Sequence, residues 1–331
     1  MSAEKRCLVI GANGFIGSHL VDELAEAGFS LKAFDLFNSL PQFEKSREIE
    51  VFKGDLFDPV ALDKALKDVD YVFHCYSATT PYSSDDDPYT DIDRNLKRSV
   101  QIFEQCVKSK VKKVIFISSG GAIYGHVAED RPATEEDAAT PVSPYGICKL
   151  AVENYLAYFN RKHDLGYITY RLTNPYGPRQ QLRNNQGVVP AFLQKIEQNK
   201  PLEVFGDGSN SRDYIYIRDA TKMIAASFAK DTKYHTYNIG SGRQTTLNEI
   251  IETLKAITGQ PIKVHYQNAL KTFLKSSQIS IDRFVDEFNI LPSTGLEFGL
   301  KLTLKDRNSR PFTDYRNKGL RTYNRHFESL G

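Results

Sequence analysis

The chain has 331 residues, 40% hydrophobic and 25% charged, with a formal net charge of +2, an ordinary globular composition with core enough for one two-part enzyme or two domains. The near-balanced charge excludes the basic footprint of a nucleic-acid binder, and no apolar run approaches membrane-spanning length. Cys7, Cys75, Cys106 and Cys148 are scattered without a C-x-x-C pair, and the seven histidines form no H-E-x-x-H, so reduced thiols and no metal site are expected. A few polar residues lead directly into the first apolar run with no signal-peptide core, which points to a cytoplasmic protein. The basic excess from Lys305 to Arg325 reads as a solvated tail.

That first run, Cys7 to Ile10, breaks at Gly11, and an amphipathic segment follows with Ile16, Leu20, Val21 and Leu24 on one face, giving strand, turn and helix. Gly11, Gly14 and Gly17 stand three apart, which lets the backbone turn tightly, approach a pyrophosphate and pack the helix on the strand without a Cβ between them. The helix N-terminus then presents N–H groups to phosphate charge. A glycine-rich turn without a ligand has the same look, because the spacing is G-x-x-G-x-x-G and not G-x-G-x-x-G. Asp35 adds to the dinucleotide reading: it ends the next apolar run, Ser30 to Asp35, ~20 residues on, where a carboxylate can accept both ribose hydroxyls. No Arg follows in Leu36-Phe37-Asn38, so a 2′-phosphate would meet repulsion, and NAD is favoured over NADP.

Apolar runs recur at Glu50 to Phe52, Tyr71 to Cys75 and Val114 to Ile117, alternating with helical patterns at Pro59 to Leu66 and Ile92 to Val107. The alternation predicts an α/β chain with a Rossmann-type, doubly wound parallel sheet whose ligands sit at the strand carboxyl ends. Those ends carry Gly11, Asp35, Asp55, His74 and Ser118-Ser119. Asp55, followed by Leu56, either reaches an adenine amino group or is a helix N-terminal acid. Asn95 opens a long helix and either packs against a partner subunit or caps.

In Ser143-Pro144-Tyr145-Gly146-Ile147-Cys148-Lys149, Ser143 can cap and Pro144 suits the first helical position. Tyr145 and Lys149 then share one helix face. A surface tyrosine and lysine at helical spacing are common, but after a glycine-rich loop and a serine-rich strand end the pair reads as chemistry. A tyrosine ordinarily titrates near ~10, and an ammonium and an oxidised nicotinamide beside it would both favour the phenolate and make it a usable base.

Gly11 to Gly17, Asp35, Ser118-Ser119-Gly120-Gly121-Ala122-Ile123-Tyr124-Gly125, Tyr145 to Lys149, Arg171-Leu172-Thr173-Asn174-Pro175-Tyr176-Gly177-Pro178, Arg212-Asp213-Tyr214 and Tyr237-Asn238-Ile239-Gly240-Ser241-Gly242 resemble, in order, the extended short-chain dehydrogenase/reductases that act on nucleotide sugars. Within this NAD-dependent epimerase/dehydratase family they are similar to the UDP-glucose 4-epimerase-like branch, over about Arg6 to Thr258. The resemblance implies a smaller mixed α/β substrate-binding domain beside the NAD-binding one: 1–172 with 214–242 returning to it, against 173–213 and 243–305, with 306–331 as a tail. It also implies that Phe15 and Ile16 cover the pyrophosphate and that Asp55, Leu56 and Asn95 line the NAD site. Asn174 and the N–H groups of Gly187 and Val188 would take the diphosphate of a nucleotide-diphosphate sugar, Glu203 to Phe205 its base, and Arg212 would clamp the diphosphate, unless Arg212 is simply paired with Asp213. A homodimer is expected through the helices of Asn95 to Ser109 and Pro144 to His163, with Val100, Phe103, Val107, Val152, Leu156 and Phe159 as surplus apolar positions.

Three departures stand out. The family's Ser or Thr that bonds the sugar 4-oxygen is Gly120 here, so Ser119 or a water would substitute. Tyr76 replaces a small residue and would narrow the nicotinamide side, and the family's second diphosphate-binding Arg has no clear counterpart around Thr272 to Asp282, with only Arg283 near. The expected activity is an NAD-dependent nucleotide-sugar 4-epimerase, acting on UDP-glucose/UDP-galactose or the N-acetyl analogues through Tyr145, Lys149 and Ser119. A 4-keto deoxysugar-nucleotide reductase is the alternative. A 4,6-dehydratase lacks its acid pair, since Gly121-Ala122 stands in those places, and a silent NAD-sensing scaffold would not keep both Tyr145 and Lys149.

Overall fold

A computed structural model describes residues 5–44, 49–125, 131–182, 187–268 and 276–309; the expected tail beyond 309 lies outside them. In chain order the strands are β1 (Arg6–Ile10), β2 (Ser30–Asp35), β3 (Ile49–Lys53), β4 (Tyr71–His74), β5 (Lys113–Ser119), β6 (Gly166–Leu172), β7 (Asn174–Tyr176), β8 (Leu202–Phe205), β9 (Ser211–Tyr216), β10 (Thr236–Ile239), β11 (Gln244–Thr246), β12 (Val264–Gln267) and β13 (Ser276–Ser277). Seven of them form one parallel sheet in the order β10-β6-β5-β4-β1-β2-β3. The order reverses at β1 and β4, the crevice where such sheets bind their ligands. Ile10 pairs with both Phe34 and His74, and this register brings Gly11, Asp35, Cys75 and Ser119 out at one edge.

Period-2 side-chain alternation divides the core between the two faces. Cys7 and Val9 of β1 and Ile115 and Ile117 of β5 face a cluster with Leu20, Val21 and Leu24 of the helix Phe15–Glu26 and Met223 and Ile224 of the helix Ile217–Ser227. Leu8, Ile10, Val114 and Phe116 face the other cluster, made with Leu62 and Leu66, Ile102 and Phe103, and Val152, Leu156 and Phe159. Both faces are thus covered, as parallel strands require. The helix Asp282–Phe288, in a stretch expected in the substrate unit, packs Phe284 and Phe288 with Tyr170 and Tyr237 in the core of the large sheet.

A third cluster joins Val189, Phe192 and Leu193 of the helix Val188–Glu197, Leu202 and Val204 of β8, and Ile250 and Leu254 of the helix Leu247–Thr258. It lies beside two small sheets, β11-β9-β13 with β7 on β9, and the pair β12-β8. The helix read from Ile92 to Val107 begins instead as a π-helical turn, Asp91–Leu96, that runs into Lys97–Lys108.

The apolar positions expected to be surplus for a homodimer are spent inside the subunit. Phe103, Val152, Leu156 and Phe159 are buried, and Val100 and Val107 pack against the same cluster. Sheet contact accounts for all six, so they carry no argument for a partner.

Beneath the carboxyl edge of β5 and β6 lies one buried ion pair. Arg171 Nη2 meets Glu153 Oε2 at 2.8 Å, Ser118 Oγ donates to Glu153 Oε1 at 2.6 Å, and Arg171 Nη1 donates to the Tyr124 hydroxyl at 2.9 Å. Tyr124 in turn donates to Asn238 Oδ1 at 2.7 Å, which links the turn after β5 to β10. Removing one member of such a pair leaves a charge in low dielectric. Glu153→Ala is therefore expected to cost about 3–5 kcal/mol in urea unfolding, and a loss under about 1 kcal/mol, the worth of an exposed pair, would contradict this account.

Candidate active site

The glycine turn has the geometry that its spacing predicts. Gly11 sits at φ +81°, and a Cβ added there would lie 2.9 Å from the Tyr76 nitrogen. One added at Gly17 would lie 2.0 Å from the Gly11 carbonyl oxygen, so the helix rests directly on the turn. Gly14 is the N-cap residue of Phe15–Glu26 and supplies no side-chain cap, which leaves the first-turn N–H groups for an anion. Asp35 accepts from the Asn13 nitrogen at 2.9 Å on Oδ2 and from the Leu36 nitrogen at 2.7 Å on Oδ1; each oxygen keeps acceptor capacity for a hydroxyl. These features fit a dinucleotide.

The other cofactor-side residues take more structural parts. Phe15 and Ile16 turn their side chains toward the third cluster, with Phe15 edge-on to His19, so what they offer a pyrophosphate is backbone. Asp55 accepts from the Phe57 nitrogen at 2.9 Å, and Leu56 packs on the second cluster. Asn95 is not an N-cap, and its side chain is spent inside the subunit. Its Oδ1 accepts from the Ala78 nitrogen at 2.7 Å, and its Nδ2 donates to Thr79 Oγ1 at 2.7 Å and Asp91 Oδ1 at 2.8 Å, which fixes the loop after β4. Asn13, which spacing alone does not single out, bonds Ser39 Oγ at 3.1 Å and the Gln42 nitrogen at 2.8 Å and ties the segment after Asp35 to the glycine turn.

Ser143 caps the helix Pro144–His163 by accepting from the Gly146 nitrogen, and the helix aims Tyr145 and Lys149 into a small cavity shared with Tyr76, Asp91, Phe116 and Cys148. Tyr76 thus lines the wall next to the pair. Lys149 donates to the Ile117 carbonyl at 3.0 Å and lies 5.6 Å from the centre of the Tyr145 ring. Enclosure governs the electrostatics of the pair. Burial, then the Asp91 carboxylate and Cys148, push the Tyr145 phenol up from its ordinary value. Burial also pushes Lys149 down to about 8. An ammonium at helical spacing does not by itself make the phenolate, because the enclosure that brings the two groups together disfavours charge on both.

Ser119 starts the short helical turn Gly120–Ile123 and makes no side-chain cap bond, so its hydroxyl remains available. Gly120 is not at positive φ, yet a Cβ there would meet the Arg171 carbonyl oxygen at 2.9 Å and Ile279 Cδ1 at 3.1 Å. A serine cannot be restored at 120 without moving the β6 backbone. Gly121 opens toward the Asn174 side chain, 3.9 Å away.

On the substrate side, Asn174 donates to the Asp213 carbonyl at 2.9 Å. Gly187, at φ +94°, precedes the helix that starts at Val188. Glu203 and Phe205 stand on the outward face of β8, with Lys195 3.3 Å from Glu203, beside a hollow lined by Gly206, Asp207 and Tyr266. Arg212 is half-buried and donates to the Ser211 carbonyl at 2.7 Å. Asp213 is not its salt-bridge partner: it is buried and accepts from the Ser241 and Gly242 nitrogens at 2.8 and 3.0 Å. Arg283 does not supply the second diphosphate arginine, since it bonds the Thr236 carbonyl and Glu136 and stacks on Tyr234. Among the described residues no cluster suits a metal, and no helix is long and apolar enough to cross a membrane.

Lys149 carries a stability signature. Its ordinary value is 10.5 and its folded value about 8. Below about 8 both folded and unfolded chains bind the proton and the full cost of burying the charge is present. As pH rises toward the unfolded value, the unfolded chain holds more protons than the folded one, and the cost is relieved. Lys149→Met is therefore expected to be more stable than the parent at pH 7 in the cofactor-free state, with the difference shrinking by pH 9.5. Chemical denaturation across that range checks it, and a pH-independent difference would contradict the buried-ammonium assignment.

The chain matches known proteins over most of its length. The model of the NAD dependent epimerase/dehydratase family matches residues 7–240. The chain is 30% identical over 318 residues to the dTDP-4-dehydro-6-deoxyglucose reductase of Escherichia coli, covering 92% of this chain and 98% of that protein. It is 30% identical over 307 residues to the UDP-glucose 4-epimerase of Mycolicibacterium smegmatis, covering 91% and 97%. Its fold superposes on the crystal structure of the Thermotoga maritima UDP-glucose 4-epimerase with UDP-glucose at a TM-score of 0.84, with 33% identity and coverage of 92% and 99%. The chain belongs to the NAD-dependent epimerase/dehydratase family.

Proposed function

We propose that the protein is a nucleotide-sugar 4-epimerase acting on UDP-glucose and UDP-galactose or their N-acetyl analogues. The observation that carries this reading is the placement of Tyr145 and Lys149 on one helix face, enclosed at the strand edge that also carries the glycine turn, Asp35 and Ser119. Bound NAD supplies a reversible hydride acceptor for the sugar C4 and a positive charge beside Tyr145. Tyr145 then takes the 4-hydroxyl proton, Lys149 holds its place through the Ile117 carbonyl, and Ser119 donates to the 4-oxygen as negative charge develops there. The glycine turn and the first-turn N–H groups hold the cofactor pyrophosphate, and Asp35 holds the ribose hydroxyls. Asn174, the N–H groups at Gly187 and Val188, and Arg212 are assigned to the substrate diphosphate, and Glu203 to Phe205 to the base.

The likeness to a 4-keto sugar reductase along nearly the whole chain supports a second reading with the same tyrosine and lysine. The two separate by cofactor behaviour: NAD that survives dialysis fits the epimerase, and a freely exchanging cofactor fits the reductase.

With a substrate found by screening UDP-, dTDP-, CDP- and GDP-sugars by NMR, Tyr145→Phe is expected to lose roughly 10²–10⁴-fold in kcat. Ser119→Ala is expected to lose roughly 10–100-fold with KM little changed, because the bond it removes strengthens in the transition state. Turnover of Ser119→Ala at the parental rate would overturn the assignment of Ser119, and near-parental Tyr145→Phe would overturn the mechanism.

A further inference from the structure

The carboxylate of Asp91 is 1% exposed and gathers three side-chain donors: Thr79 Oγ1 at 2.6 Å and Asn95 Nδ2 at 2.8 Å on Oδ1, and Ser84 Oγ at 2.5 Å on Oδ2. All three are neutral, and no cation among the described residues lies within salt-bridge distance of it. The Asp91 carbonyl accepts from the Cys148 thiol at 3.4 Å, between Tyr145 and Lys149 in sequence, and Asp91 lines the cavity into which those two side chains point. Asp91 also opens the π-helical turn Asp91–Leu96, an irregularity that is frequent at functional sites.

The other ionisable groups around the pair are neutralised or turned away. On the same helix, Glu153 is taken up by Arg171 and Ser118, and the Cys148 thiol is pushed up to about 11 by burial. On the β4 side, burial pushes the Cys75 thiol up to about 12 and His74 down to about 3, so both are neutral at physiological pH. Asp85 and Asp86 of the helix Pro81–Asp86, and Asp93 and Arg94 of the π-helical turn, are exposed. Asp91 remains, among the described residues, as the buried carboxylate beside Tyr145 and Lys149 that has no cation within salt-bridge distance.

We propose that Asp91 is a positioning residue: its three hydrogen bonds fix the loop after β4 as a wall of the cavity and hold its carboxylate in the site of Tyr145 and Lys149. The assignment rests on Tyr145 being the base of the proposed reaction. A carboxylate near a phenol favours the protonated form, and near an ammonium the charged form. Asp91 therefore keeps Tyr145 a phenol and Lys149 an ammonium until a second positive charge enters the site, which restricts base strength to the cofactor-loaded enzyme.

Asp91→Asn tests this with the hydrogen bonds largely kept, since an amide oxygen still accepts from Thr79 and Asn95 and its nitrogen can donate to Ser84. The readout is tyrosinate absorbance of the NAD-loaded protein against pH, taken as the difference from the same protein carrying Tyr145→Phe. Removing one buried charge is expected to move the Tyr145 titration about one unit to lower pH, with the ascending limb of the kcat/KM profile following it. A variant that folds with the parental midpoint in urea but titrates with the parent, or at higher pH, would overturn the proposal. Should Asp91→Asn fail to fold, Asp91→Glu, which retains the charge, must titrate within a few tenths of a unit of the parent; a shift to lower pH there would equally overturn it. The tyrosinate titration needs no substrate, so a failure of the epimerase reading shows separately, as absence of turnover on every sugar nucleotide.

Discussion

The bond from the Lys149 ammonium to the Ile117 carbonyl, 3.0 Å long and shut away from water, is the constraint on which the site depends. It fixes the helix Pro144–His163 against the end of β5, and with it the distance between Tyr145 and the turn that carries Ser119. An ammonium in such a place is costly: burial drives it toward neutrality, and the same enclosure drives Tyr145 toward the phenol. The cofactor-free site therefore keeps Tyr145 a phenol, and a bound cationic ring would favour its phenolate. Function is set against stability here, in the manner usual for active sites.

A second layer of buried polar contacts keeps this arrangement in register. Glu153, two helical turns beyond Tyr145 on the same helix, is locked by Arg171 and Ser118, and Arg171 reaches Tyr124 at the far end of the Ser119 turn. One network thus spans the base helix, β5, β6 and, through Asn238, β10. On the cofactor side, Asn13 and Asp22 perform the comparable task. Asp22 accepts from the Glu44 nitrogen at 2.8 Å and pairs with Arg179 at 2.6 Å, so the helix of the glycine turn holds the segment after Asp35 and the segment after Asn174 together.

What the sequence made legible follows from how local each signal is. The glycine turn, Asp35 at a strand end, and Tyr145 with Lys149 one turn apart are written in short spacings that backbone geometry enforces, and the structure places each at the carboxyl edge of the sheet. The Glu153–Arg171 pair and the Asp91 knot join residues whose separation in sequence has no period, so nothing in the pattern announces them. Arg283 shows the converse: nearness in sequence to an expected arginine says little about place, because its helix packs under β10 and spends the guanidinium there. The tyrosine–lysine electrostatics are not legible from spacing for a related reason. Spacing reports which groups meet, whereas burial decides which of their charged forms survive.

In the proposed reaction, hydride leaves the sugar C4 and returns to the same carbon while Tyr145 handles the proton. A nucleotide sugar carrying deuterium at C4, incubated with the protein as purified and no added cofactor, tests it most directly by NMR. Inversion at C4 with the deuterium still on C4 of the product is the expected outcome. Turnover only on addition of reduced cofactor, or a product that has lost its deuterium to solvent, would contradict it.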